Sequence, residues 1–159
     1  MTIVLSRSAD HLFWMSRLME RAENTARILD VSERMGLLPT GEEARTGGEW
    51  DAVLQITGDV TIFHEHFPEA TAANVISHMT LDPKNPSSIY STVYAARENA
   101  RAERVGITTE MWEALNSTWL EISKMTSPKL AARGYRNFFD WIKERSHLFR
   151  GAAVATMLR

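Results

Sequence analysis

The stretch Ser6–Gly36, SRSADHLFWMSRLMERAENTARILDVSERMG, decides the fold. It holds no Pro, and Ala, Leu, Met, Glu and Arg dominate it, the residues that lose least on entering a helix. Ser6 or Ser8 is placed to accept from a free N–H at the start, and Asp10 suits the positive end of the helix dipole. Gly36 stands where a left-handed C-terminal cap is easiest for glycine. The pattern predicts one long helix over residues 6–36.

At about 3.6 residues per turn this helix separates into two faces. One carries Leu12, Met15, Leu18, Met19, Ala22, Ala26 and Leu29, and is expected to be buried. The other carries Asp10, Phe13, Trp14, Arg17, Glu20, Arg21, Asn24, Arg27, Ile28 and Val31. Its aromatic and aliphatic ends bracket an Arg–Glu–Arg–Asn–Arg centre. A plain solvent face has no use for those apolar ends, so both faces are expected to meet protein. Arg17 with Glu20 or Arg21, Glu20 with Asn24, and Glu23 with Arg27 are neighbours on the helix surface. Three readings stay open for the stripe: surface ion pairing, a partly buried network that sets register against a second helix, or an anion site.

The chain has 159 residues, 44% hydrophobic and 24% charged, enough for one domain with a real core over residues 1–159. Its net charge of −2 draws in no nucleic acid. Cysteine is absent, which removes disulfides, thiolate metal sites and thiol nucleophiles together. The N-terminus lacks the pattern of a signal peptide, and no run approaches the roughly 18 apolar residues of a membrane span, so a cytoplasmic location is expected.

Beyond the first helix, Leu37–Gly48 is punctuated by Pro39, Gly41, Gly47 and Gly48 and reads as a loop. Helical spacing resumes from Glu49 to Phe67, interrupted at Thr57–Gly58, so two short helices or one kinked helix are expected. Ala70–Met79 reads as a short helix. Leu81–Ser88 reads as a loop with Ser87 as the next cap, before a strong helix over Ile89–Arg104. Thr108 or Thr109 starts another, running to about Met125. Ser127–Pro128 opens the last, through Phe149, with Gly134 as its weak point and a further short piece over 151–159. The expectation is all-α: a bundle of six to seven mostly antiparallel helices.

Two further clusters carry charge. Tyr90, Val93, Tyr94, Arg97, Arg101 and Arg104 share a face of the helix expected over Ile89–Arg104, placing three guanidinium groups along about 10 Å of helix. Such forks suit carboxylates or phosphates, but Glu98 and Glu103 stand ready to pair them. On the last helix, Glu144–Arg145 echoes Glu20–Arg21. No metal or cofactor is expected: in a helix the imidazoles of His64-Glu65-His66 would point about 200° apart, and no His-Glu-x-x-His motif is present. No serine sits in a glycine-flanked elbow and no phosphate loop is present, so no catalytic residue is assigned.

Leu5-Ser6-Arg7-Ser8-Ala9 followed by Trp14-x-x-Arg17-x-x-Glu20-Arg21-Ala22-Glu23-Asn24-Thr25-Ala26-Arg27 resembles the opening of the alpha-E domain family, an all-helical family named for its Glu–Arg motif. Ala96-Arg97-Glu98-Asn99-Ala100-Arg101 resembles its central motif, and Lys143–Gly151 with Thr156–Arg159 a third. The resemblance implies a domain about twice this length, whose second half opens with a similar helix. A second copy of the chain or a separate helical half would then supply the counterpart. It also implies association with ATP-grasp or transglutaminase-like proteins, in ATP-dependent amide or peptide-bond chemistry. The motif positions mark Arg17, Glu20, Arg21, Asn24, Arg27, Arg97, Glu98, Asn99, Arg101, Glu144 and Arg145 as a candidate polar cluster. The expected role is a non-catalytic accessory and interaction module. The alternative is an enzyme component whose arginines bind an anionic peptide or acyl phosphate. On the first reading, the stripe of the first helix is expected to meet the arginine face of residues 89–104 in the interior; the alternative needs an open pocket where these groups converge.

Overall fold

The computed structural model describes the backbone of residues 2–37 and 48–157, and the side chains of 6–37 and 48–155. Eight helices follow one another among these residues: α1 (Thr2–Gly36), α2 (Gly48–Thr57), α3 (Val60–His64), α4 (Ala72–Thr80), α5 (Ile89–Ala102), α6 (Thr109–Ile122), α7 (Ser127–Arg133) and α8 (Tyr135–Met157). No strand occurs among them. Most of the loop expected over Leu37–Gly48 lies outside the described residues.

α1 is the spine. It packs most extensively on α5 and next on α8, while α6 closes the layer by touching both α5 and α8. Met15, Met19, Ala22, Ala26 and Leu29 of α1 are buried, as the apolar periodicity requires. They join Val93, Ala96 and Ala100 of α5 and Phe138, Phe139 and Ile142 of α8 in one cluster. Alanines on both α1 and α5 let these helices pack closely. Leu12, expected inside, is 37% exposed because it falls at the edge of the buried arc.

Local signals placed most of the breaks. α2 ends at Thr57, just before Gly58, whose φ of +76° favours glycine, so the interruption at Thr57–Gly58 separates two helices. Thr108 Oγ1 caps α6 by accepting from Met111 N–H at 3.3 Å. Four expectations need correction. α1 begins at Thr2, so Ser6 and Ser8 lie inside it, and Gly36 is its last helical residue without a positive φ. Ser88, not Ser87, caps α5, accepting from Ser91 N–H at 3.1 Å. α6 stops at Ile122 rather than near Met125. The last segment is cut into α7 and α8 at Gly134, φ +88°, and α8 then runs on to Met157 without a separate end piece.

The turn between α4 and α5 is held by Asn85, which is fully buried. Its amide donates to the carbonyl of His78 at 3.2 Å and its Oδ1 accepts from Ser87 N–H at 2.8 Å. Ser88 Oγ closes the same turn onto the carbonyl of Asp82 at 2.7 Å. Asn85→Ala strands a buried carbonyl and a part-buried N–H. It is expected to lower stability by about 1–3 kcal/mol in a urea melt, with the helical circular-dichroism signal of the folded state unchanged.

Candidate functional site

Two carboxylates orient α1. Glu23 is 4% exposed yet ionised, because four side chains surround it. Arg27 Nε and Nη2 donate to its Oε1 at 3.0 and 2.7 Å. From α8, Ser146 Oγ and Arg150 Nη2 donate to Oε2 at 2.8 and 2.7 Å, and His147 Nε2 lies 3.2 Å from Oε1. Burial pushes the Glu23 carboxyl up. The bonds from Arg27 and Ser146 and the charges of Arg150 and Arg27 outweigh it and hold the pKa down at about 2. Asp30, seven residues on, repeats the device. Lys143 Nζ donates to it at 3.0 Å, and Arg34 binds both its oxygens at 3.1 and 2.9 Å. Burial opposes its ionisation too, and the Lys143 and Arg34 bonds lower its pKa regardless. Glu33 beside it is raised by burial and by the Asp30 charge. Contacts running 23 to 150 and 30 to 143 make α1 and α8 antiparallel.

The candidate polar cluster does not form one interior network. Arg97 turns to α6, giving Nε to Asn116 Oδ1 at 3.0 Å and lying 5.5 Å above the Trp112 ring. Glu98 takes both Arg97 and Arg101 at 2.8 Å. Asn99 donates to the carbonyl of Ala95 at 2.8 Å and meets His11 Nδ1 at 2.9 Å. Arg145 reaches Thr118 Oγ1 at 2.8 Å, the carbonyl of Ala114 at 3.0 Å and Ser117 Oγ, tying α8 to α6. Glu144 is exposed and unpartnered among the described residues. The expected meeting of Arg17, Glu20 and Arg21 with the α5 arginines is therefore overturned. α1 turns its small residues to α5 and its two buried carboxylates to α8, which leaves the stripe on the far side.

That far side is an open groove. Phe13, Trp14, Arg17, Glu20, Arg21 and Asn24 line a cavity of about 460 Å³ bounded by Ile56 and Thr57 of α2, Met79 and Ser87. A second, apolar cavity of about 630 Å³ continues it along Ile28, Val31, Met35, Val53 and Ile56. Arg17 pairs with Glu20 at 2.9 Å in the open. The side chains of Arg21 and Asn24 make no hydrogen bond or ion pair among the described residues. Trp14 is 45% and Ile56 74% exposed.

The exposed residues have a stricter order than the two-face reading shows. Asp10, Trp14, Arg17, Arg21, Asn24, Ile28, Val31 and Met35 follow steps of four and three without a break. All are exposed except Ile28, which is half-buried. This seven-residue repeat runs for about 38 Å and is the spacing that keeps a seam facing a partner helix. The signal was present in the sequence. Glu23 was legible only as half of a local pair with Arg27, because Ser146, His147 and Arg150 lie more than a hundred residues away.

An all-helical domain with charged clips between helices and an exposed heptad seam is the class these features define. Residues 4–159 match the Alpha-E family, described as a predicted alpha-helical domain with a conserved ER motif, and the chain belongs to that family. Four Glu–Arg dipeptides occur, at 20–21, 33–34, 103–104 and 144–145. Of these, Glu20–Arg21 is the one lining the groove. The chain is 26% identical over 133 residues to an uncharacterised protein of Mycobacterium bovis, covering 77% of this chain and 15% of that protein. Uncharacterised proteins of two Mycobacterium tuberculosis strains match to the same extent. The chain thus spans about 15% of the length of the curated relatives it matches. No solved structure matches it. Among the described residues, no group of three or more His, Asp or Glu could hold a metal, and no helix is long and apolar enough to cross a membrane.

Glu23→Gln removes the charge while its cations remain. Arg27 and Arg150 are half-exposed and rehydrate. The expected loss is therefore about 3 kcal/mol, a fall in Tm of roughly 6–12 °C by calorimetry. Arg21→Ala is expected to melt with the parent to within about 0.5 kcal/mol. The Glu23 carboxyl falls from the ordinary 4.5 to about 2 on folding. Its contribution is complete above pH 4.5 and drains as pH drops toward 2. Glu23→Gln should flatten that acid limb of the stability–pH curve.

Proposed function

We propose that this domain is a non-catalytic helical interaction module that docks a partner helix in the groove along α1. The observation that supports this best is the heptad seam left open on a helix whose other sides are occupied. Exposed Phe13, Trp14, Val31 and Met35 form one band with Ile56. Large apolar side chains at seam spacing, rimmed by charge, fit protein contact better than solvent. The setting proposed is an ATP-grasp-type amide or peptide ligase system, with an ATP-grasp or transglutaminase-like protein as partner, in the cytoplasm. The family resemblance supports that setting.

One observation favours the second reading, an enzyme component that binds an anionic peptide or acyl phosphate. Arg21 offers a guanidinium uncommitted among the described residues, inside a cavity that also holds Asn24 and Ser87. Against it, the carboxylate in that cavity, Glu20, is paired with Arg17 in the open, and the buried carboxylates Glu23 and Asp30 line neither groove.

The test is affinity capture of an ATP-grasp-type protein from the same organism, using the parent and a Trp14→Ala, Ile56→Ser variant. Retention by the parent and loss with the variant, at unchanged Tm, is the expected result. Equal retention by both would overturn the groove as the docking site. Saturable binding of an acyl-phosphate analogue that is lost in Arg21→Ala would favour the enzyme component instead.

A further inference from the structure

We propose that the seam of α1 pairs with the same seam of a second copy of this chain, the two helices running antiparallel. This rests on the docking role of the α1 groove and names a second copy as the helix that fills it, so that an ATP-grasp-type partner is held only by the paired form. In an antiparallel pair the two facing residue numbers add to a constant, and a two-fold axis makes every contact occur twice.

When that sum is 45, all eight seam positions fall on one another. Trp14 faces Val31, Arg21 faces Asn24, Arg17 faces Ile28 and Asp10 faces Met35. The aromatic end of one copy covers the aliphatic end of the other, and no like charges oppose. Asn24 Oδ1 offers Arg21 the acceptor it lacks among the described residues. Sliding by one heptad spoils the match. One direction opposes Arg17 to Arg21, and the other leaves Trp14 without a seam partner on the described helix.

The flanks agree with the seam. Residues just outside an antiparallel seam meet their counterparts across the axis, which here sets Glu20 against Arg27 and Phe13 against Arg34. Arg27 spends Nε and Nη2 on Glu23, leaving Nη1 for a second carboxylate. Arg34 is half-exposed beside the position Phe13 would take, a cation–π arrangement. The Arg–Glu–Arg–Asn–Arg centre is therefore self-complementary: each copy carries both halves of the pattern. A partner of unrelated sequence would need this order by coincidence. A second copy has it by symmetry.

The chain has no cysteine, so introduced pairs report register without background. Under mild oxidant, Trp14→Cys combined with Val31→Cys is expected to give a disulfide-linked dimer. These positions lie about 26 Å apart on one helix and cannot close within a chain. Trp14→Cys combined with Asn24→Cys, one heptad out of register, is expected to stay unlinked. Light scattering on the unmodified chain should show a dimer at micromolar concentration. Glu20→Arg should weaken it about tenfold, with Tm unchanged at dilutions where the chain is monomeric, since Glu20 has an exposed partner to lose. A monomer throughout, or equal linking of both cysteine pairs, would overturn the proposal. If the chain is monomeric while the groove variant still loses the captured protein, docking stands and only the self-pairing falls.

Discussion

The structure depends on one buried carboxylate. Glu23 sits inside the bundle with its charge intact because α8 brings Ser146, His147 and Arg150 to it and α1 brings Arg27. Asp30 and Lys143 make a second clip one heptad along both helices. The equal spacing on the two antiparallel helices turns two local pairs into a register lock. Turning α1 about its axis would draw these carboxylates from their cations and bury Arg21 or Asn24 with nothing to bind. Desolvated charge without a partner costs several kcal/mol, so rotation of α1 is strongly resisted.

Fixing that rotation also fixes what remains outside. With small residues toward α5 and carboxylates toward α8, the open side of α1 carries Trp14, Arg17, Arg21, Asn24 and Val31. These charges are not part of the fold's stability, and the apolar residues around them are not in the core. α1 thus holds two functions on separate arcs: an inner one that assembles the bundle and an outer one that offers a straight, evenly spaced edge. The clips at Arg97–Asn116 and Arg145–Thr118 fasten the remaining long helices in the same manner. Arg27, Arg97, Arg101 and Arg145 are thereby occupied, and Arg21 has no bonded partner among the described residues.

Much of the fold was legible in the sequence because helices declare themselves locally. Apolar spacing gave the buried arc of α1, and Gly58, Thr108 and Pro128 marked breaks and starts through backbone constraints of their own. What failed was pairing at long range. Spacing says that Arg97 and Arg101 share a face, but not that α6 supplies Asn116 to one of them. It places Glu23 on the margin between the two faces of α1 and is silent on α8, whose Ser146 and Arg150 decide that the carboxylate is buried. Gly36 and Gly134 show the same limit: both could end a helix, and only the second takes a positive φ. The outer seam was within reach, since its four-three spacing is a property of the sequence. It was hidden by grouping Phe13, Glu20 and Arg27 with it on a broad face.

Carboxyl labelling read by mass spectrometry tests the orientation of α1 most directly. A carbodiimide with an amine nucleophile modifies carboxylates according to their access to water. Glu23 and Asp30 are expected to resist modification until the chain is denatured, while Glu20 and Glu144 react in the folded protein. Labelling of Glu23 as readily as Glu20 under native conditions would mean that α1 is not held by its buried carboxylates, and the open seam would lose its basis.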